Sequence, residues 1–203
     1  DAAKLCGEAA AICTSSKKPE SSLRHAVDSG HESVLEHAVF TFRVEGLSRA
    51  ALAQLTRHRL ASFDVQSQRY VKQTDWRAVF PESVMNTPFA EEAESLVRQS
   101  MDLYQRMVEA GVPAEDARYF TPQAITTELV MTMNARELRH FFSLRCCNRA
   151  QWEIRHLADE MLKLCRQAAP ELFHGAGPGC VGRGCPEKIS CGAPRQKGEW
   201  NGE

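Results

Sequence analysis

Ala38-Val39-Phe40-Thr41-Phe42-Arg43-Val44-Glu45-Gly46-Leu47 sets Val39, Thr41 and Arg43 against Phe40, Phe42 and Val44. Alternation with a period of two predicts a strand. Ser48 to Thr56 then turns helical in composition, with Leu52 and Leu55 inward and Gln54 and Arg57 three apart on one helix face. The pattern returns further on. Ile125 to Met133 is β-branched and apolar and predicts another strand, and Asn134-Ala135-Arg136-Glu137 opens a helix with Asn134 as N-cap and Glu137 at the capping-box position. Two strand–helix passages, 38–57 and 125–145, thus each end in arginines. Together with the long helical segments elsewhere they predict an α+β domain, a small antiparallel sheet packed with long helices.

Working outward, residues 2–13 read as a helix with small residues on one face, and Leu23, Ala26 and Val27 as a short helix ending near Gly30. Ser33 with Glu36 has the form of a capping box. Gln66 to Val71 reads as a second strand, and 74–87 as a loop anchored by Trp76 and Phe80. Phe89 to Ala110 is a long amphipathic helix stopped by Gly111 and Pro113, and Pro113 to Arg118 a short one. A break near Cys146–Asn148 separates the helix opened by Asn134 from a last long helix over 149–168. That helix carries Trp152, Ile154, Leu157, Met161 and Leu164 as its apolar residues. Residues 1–173 therefore read as the domain and 174–203 as a Gly/Pro/Cys-rich tail. The start at Asp1, inside a helical pattern, leads us to expect a missing N-terminal piece.

The chain has 203 residues, 43% hydrophobic and 25% charged, which suits one globular domain with a core. Its net charge of −1 gives no bulk attraction to nucleic acid or to a membrane surface, so an anion site must be local. No apolar run is long enough to span a bilayer and no signal-peptide pattern is visible, so a cytoplasmic protein is expected. Of eight cysteines, Cys6, Cys13, Cys146, Cys147 and Cys165 sit in helical or apolar patterns and read as reduced. Cys180, Cys185 and Cys191 form a separate group. Their spacings are looser than the usual zinc pair, which leaves two readings: a structural zinc with His174 as fourth ligand, or a loosely packed tail. His31 and His37 lie six apart, the wrong spacing for one helix face to hold a metal. Gly177 to Gly182 matches G-x-G-x-x-G literally, but follows a helix and contains Pro178, so the context of a dinucleotide fingerprint is missing.

Two polar constellations remain. Arg57-His58-Arg59-Leu60-Ala61-Ser62-Phe63-Asp64-Val65-Gln66-Ser67-Gln68-Arg69-Tyr70 holds three arginines and one acid. No core needs that composition, and the planar guanidinium fork suits phosphate and carboxylate oxygens. Asn134, Arg136, Arg139, His140, Arg145, Asn148 and Arg149 form the second, with Arg145 and Arg149 flanking the predicted helix break. A solvated surface is the plain reading of each. Two such clusters in a near-neutral domain suggest a ligand with more than one phosphate-bearing part, or two ligands.

The order of these residues resembles the flavin-dependent thymidylate synthases over nearly the whole chain. The matching segments are His31 to His37 with its following strand, Arg57-His58-Arg59 through Ser67-Gln68-Arg69-Tyr70, Asn134-Ala135-Arg136, and Leu144-Arg145 followed by Asn148 to Glu153. The resemblance implies a homotetramer with active sites between subunits. It implies conversion of dUMP to dTMP, with methylenetetrahydrofolate giving the carbon and NADPH reducing FAD. It places His31, Ser33, Arg57, His58, Arg59, Asn134, Arg136 and His140 at the flavin. It places Gln54, Arg57, Ser67, Gln68, Arg69, Arg118 and Arg145 at dUMP, with Arg118 reaching from a neighbouring subunit and Arg145 polarising the uracil ring. Asp64-Val65 stands where members often carry Asn-Glu.

Ser67 has no visibly paired base, so a serine nucleophile is not expected, and no cysteine motif implies a thiol adduct. Two rival readings are a metal-stabilised nucleic-acid-binding module and a catalytically inactive homologue. Against the first stands the lack of a basic excess.

Overall fold

Why the chain folds as it does is clearest at its turns. In the computed structural model, which describes residues 1–181, 184–196 and 198–200, α1 (Ala2–Thr14) is N-capped by Asp1 and α2 (Pro19–Ser29) ends at Gly30. Gly30 has φ 74°, a conformation glycine adopts without a Cβ penalty. A 3₁₀ turn over Glu32–His37 leads to strand β1 (Val39–Ser48), helix α3 (Arg49–Leu55) and strand β2 (Ala61–Val65). Then come α4 (Glu82–Met85), α5 (Ala90–Glu109), α6 (Ala114–Ala117), strand β3 (Thr126–Asn134), α7 (Ala135–Arg145), α8 (Trp152–Ala168) and α9 (Pro170–Phe173). The sheet is three-stranded and antiparallel, in the order β1-β3-β2. The α+β expectation therefore holds.

The chain divides into two compact units, and each strand runs from one into the other. The first unit comprises 1–41, 58–62 and 132–203. Its core is aromatic and aliphatic: Leu35, Leu138, Phe141, Phe142, Ile154, Leu162 and Phe173 are all fully buried. Phe40, Phe142 and Phe173 meet edge to face, with centroids 5.2 and 6.0 Å apart. The second unit comprises 42–57 and 63–131. There α5 buries Met101 and Tyr104 against Ala117 and Ile125, with Trp76, Met107 and Val112 closing the cluster.

Three local expectations change. The strand expected over Gln66 to Val71 lies earlier, at Ala61–Val65. The Ser67 hydroxyl accepts from the Arg69 N–H and the Ser67 carbonyl from the Val71 N–H, which makes a turn of the stretch. No capping box forms at Ser33 and Glu36: the 3₁₀ turn has no side-chain cap, and Glu36 pairs with Arg136. The last long helix begins at Trp152, with Gln151 accepting from the N–H groups of Glu153 and Ile154. Its buried face is Ile154, Ala158, Met161, Leu162 and Cys165, while Trp152 and Leu164 are 41% and 55% exposed.

The C-terminal tail packs within the first unit through polar anchors. The Arg195 guanidinium donates to Asp159 Oδ2 and the Cys146 carbonyl, and Trp200, only 1% exposed, stacks on it and donates Nε1–H to Asp159. Cys180 is half-buried and Cys185 and Cys191 are exposed. Among the described residues, no group of three or more His, Cys, Asp or Glu side chains is placed to hold a metal ion. Gly182, the last glycine of the discarded G-x-G-x-x-G match, lies outside the described residues, as do Arg183, Lys197 and 201–203 of the tail. Among the described residues no helix is long and apolar enough to cross a membrane.

Candidate functional site

In the second unit, Ser48 ends β1 and its hydroxyl caps α3, which fixes Arg49 as the first helical residue. Pro113 and the short α6 deliver Arg118 at the start of a 3₁₀ turn, its Nε–H donating to the Glu115 carbonyl. Arg49, Arg118 and Gln68 line one cavity of about 390 Å³, together with Thr56, Tyr119 and Gln123. Arg49 Nη2–H donates to the Gln66 carbonyl. Arg49 Nε and Gln68 Nε2, however, are buried N–H donors with no protein partner. Burial first, and the Arg118 charge second, hold the Arg49 guanidinium below its usual pKa.

Two like charges facing one cavity, with buried donors left unpaired, cost free energy in the absence of an anion. A phosphate monoester in the cavity offsets the two guanidinia with its charge.

The remaining residues expected at the nucleotide lie in the same unit. Gln54 is half-buried on α3, its carbonyl accepting from the Arg57 N–H; Arg57 is exposed. Ser67 and Arg69 sit in the turn after β2, where Arg69 Nε–H donates to Glu115 at 2.7 Å in an exposed pair. Asp64 and Val65 are the last residues of β2, exposed and half-buried respectively. Arg49 was not among the expected residues.

Arg145 and the residues expected at the flavin, Arg57 apart, lie in the first unit. His31, Ser33, Arg59, Arg136 and His140 are exposed. Arg136 is paired with Glu36. Asn134 caps α7, its Oδ1 accepting from the Glu137 N–H at 2.9 Å as the sequence predicts. The other half of the capping box is missing, because the Glu137 carboxylate has a different partner.

That partner is His58, which is buried at 5% exposure. Glu137 Oε1 lies 3.2 Å from His58 Nδ1, and Arg145 Nε–H donates to His58 Nε2 at 3.0 Å. An arginine only donates, so Nε2 is the acceptor and the imidazole proton sits on Nδ1, donating to Glu137. Burial pushes the His58 pKa below its ordinary value; the Glu137 hydrogen bond opposes this and the Arg145 charge reinforces it. A neutral imidazole at pH 7 is what this chain of bonds requires. His58 is thus spent on holding Arg145.

Two other cations of the second cluster are also occupied. Arg139 donates to Glu32 and to the carbonyls of Leu172 and His174. Arg149 donates to the Ile189 carbonyl and faces Glu187, while Asn148 donates to the Ala193 carbonyl. Arg149, which flanks the helix break with Arg145, is thus taken up by the tail.

The sequence matches the model of the family described as thymidylate synthase complementing protein over residues 1–171. It is 54% identical over 167 residues to the flavin-dependent thymidylate synthase of Geobacter sulfurreducens, across 80% of this chain and 72% of that one. It is 47% identical to that of Nitratidesulfovibrio vulgaris, across 82% and 73%. With that of Clostridium tetani it is 43% identical, across 94% and 86%. The match runs through both arginine clusters, Arg118 and the Arg145 helix, so the chain belongs to the thymidylate synthase complementing protein family.

Proposed function

We propose that this protein is a flavin-dependent thymidylate synthase. It converts dUMP to dTMP, taking the carbon from methylenetetrahydrofolate and using FAD reduced by NADPH. Residues 1–173 carry this chemistry and 174–203 form the tail. The observation that carries the reading is the cavity lined by Arg49, Arg118 and Gln68, whose two guanidinia suit the phosphate of a nucleotide.

Arg49, Arg118 and Gln68 hold that phosphate, and Gln54, Arg57, Ser67 and Arg69 complete the nucleotide contacts. Arg69 exchanges its exposed pair with Glu115 at little cost, because such pairs contribute only ~0–1 kcal/mol.

The flavin reading rests on a donor set that fits a dinucleotide. Arg59 and Arg57 supply cations for its phosphates, and Ser33, His31 and His140 supply further hydrogen-bonding groups. Asn134 keeps its amide N–H₂ for the same ligand while its Oδ1 caps α7. Arg136 joins them by leaving Glu36. The flavin, when bound, supplies the hydride.

Arg145 acts on the uracil ring. Accepting carbon at C5 builds negative charge on the N3–O2/O4 side, and a fixed guanidinium stabilises it without giving up a proton. His58 holds that guanidinium and Glu137 holds His58.

The nucleic-acid-binding alternative is not favoured, since the net charge is −1 and the family is enzymatic. The protein is proposed to be cytoplasmic and to assemble as a homotetramer with active sites between subunits, while Arg118 shares its cavity with Arg49 and Gln68 of its own chain. Light scattering at micromolar concentration is expected to report four copies per particle; a stable, active monomer would rule the tetramer out. The function itself is tested by the absorbance of the purified protein. A flavin spectrum that bleaches with NADPH and shifts with dUMP supports it. A colourless protein that binds oligonucleotides with steep salt dependence contradicts it.

A further inference from the structure

We infer that Glu137 is a positioning residue for Arg145: acting through His58, it fixes the guanidinium that faces the reacting ring, an inference that rests on the role proposed for Arg145 above. Glu137 and His58 are 79 residues apart in sequence and both buried, at 7% and 5% exposure. A buried carboxylate is costly unless its oxygens accept hydrogen bonds. Glu137 gives up the capping-box bond that its place on α7 offers and takes His58 instead.

The consequence is directional. An imidazole presents one donor and one acceptor, and the partner of one nitrogen decides which is which. With the carboxylate at Nδ1, the proton is held there and Nε2 must accept. Arg145 meets that acceptor through Nε–H, a bond that uses none of its four terminal N–H donors. Phe141 packs edge-on against the imidazole, centroids 4.9 Å apart, and keeps water from competing for it. The guanidinium plane is therefore set by a chain that begins at Glu137.

Glu137→Gln tests this, because the amide keeps the volume and the hydrogen-bonding reach while losing control of the proton. Its N–H₂ can donate to Nδ1, which moves the imidazole proton to Nε2 and turns it against the Arg145 donor. In the flavin-loaded enzyme, dTMP formation in a single turnover is expected to fall about 10–10²-fold, the equivalent of one mispaired buried group. KM for dUMP should move little.

The pH profile supplies a readout that general loosening would not move. The titratable groups facing His58 are Glu137, Arg145 and His140. Protonating His58 removes the acceptor of the Arg145 bond, so the rate falls on the acid side, below the ordinary histidine range. In Glu137→Gln the acceptor at Nε2 is already lost, so protonating His58 removes nothing further and the acid limb should flatten. Against an Arg145→Lys background the same substitution should cost almost nothing more.

An active Arg145→Lys enzyme overturns the reading of Arg145 itself. A slow Arg145→Lys beside a fast Glu137→Gln, or an unchanged acid limb, overturns only the inference about Glu137. If Glu137→Gln does not fold, Glu137→Asp is measured in its place, keeping the charge but retracting it by one methylene. An Asp variant with undiminished rate, or one that also fails to fold, means that Glu137 serves the fold, and the positioning role is withdrawn.

Discussion

Arg145→Lys is expected to keep the fold and the flavin yet to slow single-turnover dTMP formation by ~10²–10³-fold, the usual loss on removing one preorganised charge stabiliser. Two features of the structure make the lysine a poor substitute. A guanidinium meets two ring atoms in one plane, whereas an ammonium meets one as a point charge. The lysine also lacks an Nε–H to donate to His58, so the bond that orients the side chain goes with the charge distribution. NADPH oxidation should suffer less than dTMP formation, since reducing the flavin needs no activated uracil. The check is to pre-reduce the variant's flavin, add dUMP and methylenetetrahydrofolate, and quench at intervals. Near-normal rates would mean that Arg145 only positions the nucleotide or the helix.

Arg118→Ala is expected to leave FAD bound and to weaken dUMP by about 2–4 kcal/mol, or ~30- to 10³-fold, the loss of a charge-assisted phosphate contact. Arg49→Met should cost a similar amount, because its guanidinium lines the same cavity as Arg118. The double variant should lose less than the sum. Both guanidinia answer one phosphate, and removing either also removes the repulsion that burdens the other. Titration of dUMP against flavin fluorescence measures all three. Unchanged dUMP affinity with lost flavin would sink the assignment.

Strands β1 and β3 and the long helices were legible because their signals are local: period two in 38–47, a capped start at Asn134, a Gly111 stop. What the sequence hides is competition between distant groups. Glu137 stands where a capping box wants it, and only the fold brings His58 within 3.2 Å to take its carboxylate. Arg149 looks like a free cation beside a helix break until residues 187–193 cover it.

Arg49 did leave a signal. It occupies the first turn of α3, where the helix dipole disfavours a cation and where no acid accompanies it. A positive charge in that place points to an anion outside the helix, and the cavity shared with Arg118 gives it a place. By contrast, Ser67 and Gln68 were legible as hydrogen-bonding residues, but the turn that presents them was taken for a strand.

The most direct test of the account is a single turnover without external turnover of cofactor. The flavin-loaded protein is reduced under anaerobic conditions with one equivalent of NADPH, mixed with dUMP and methylenetetrahydrofolate, and quenched over time. The account predicts dTMP in proportion to the reduced flavin, with the oxidised flavin spectrum returning in step. Return of the oxidised spectrum with no dTMP, or persistence of the reduced flavin with dUMP bound, would contradict it.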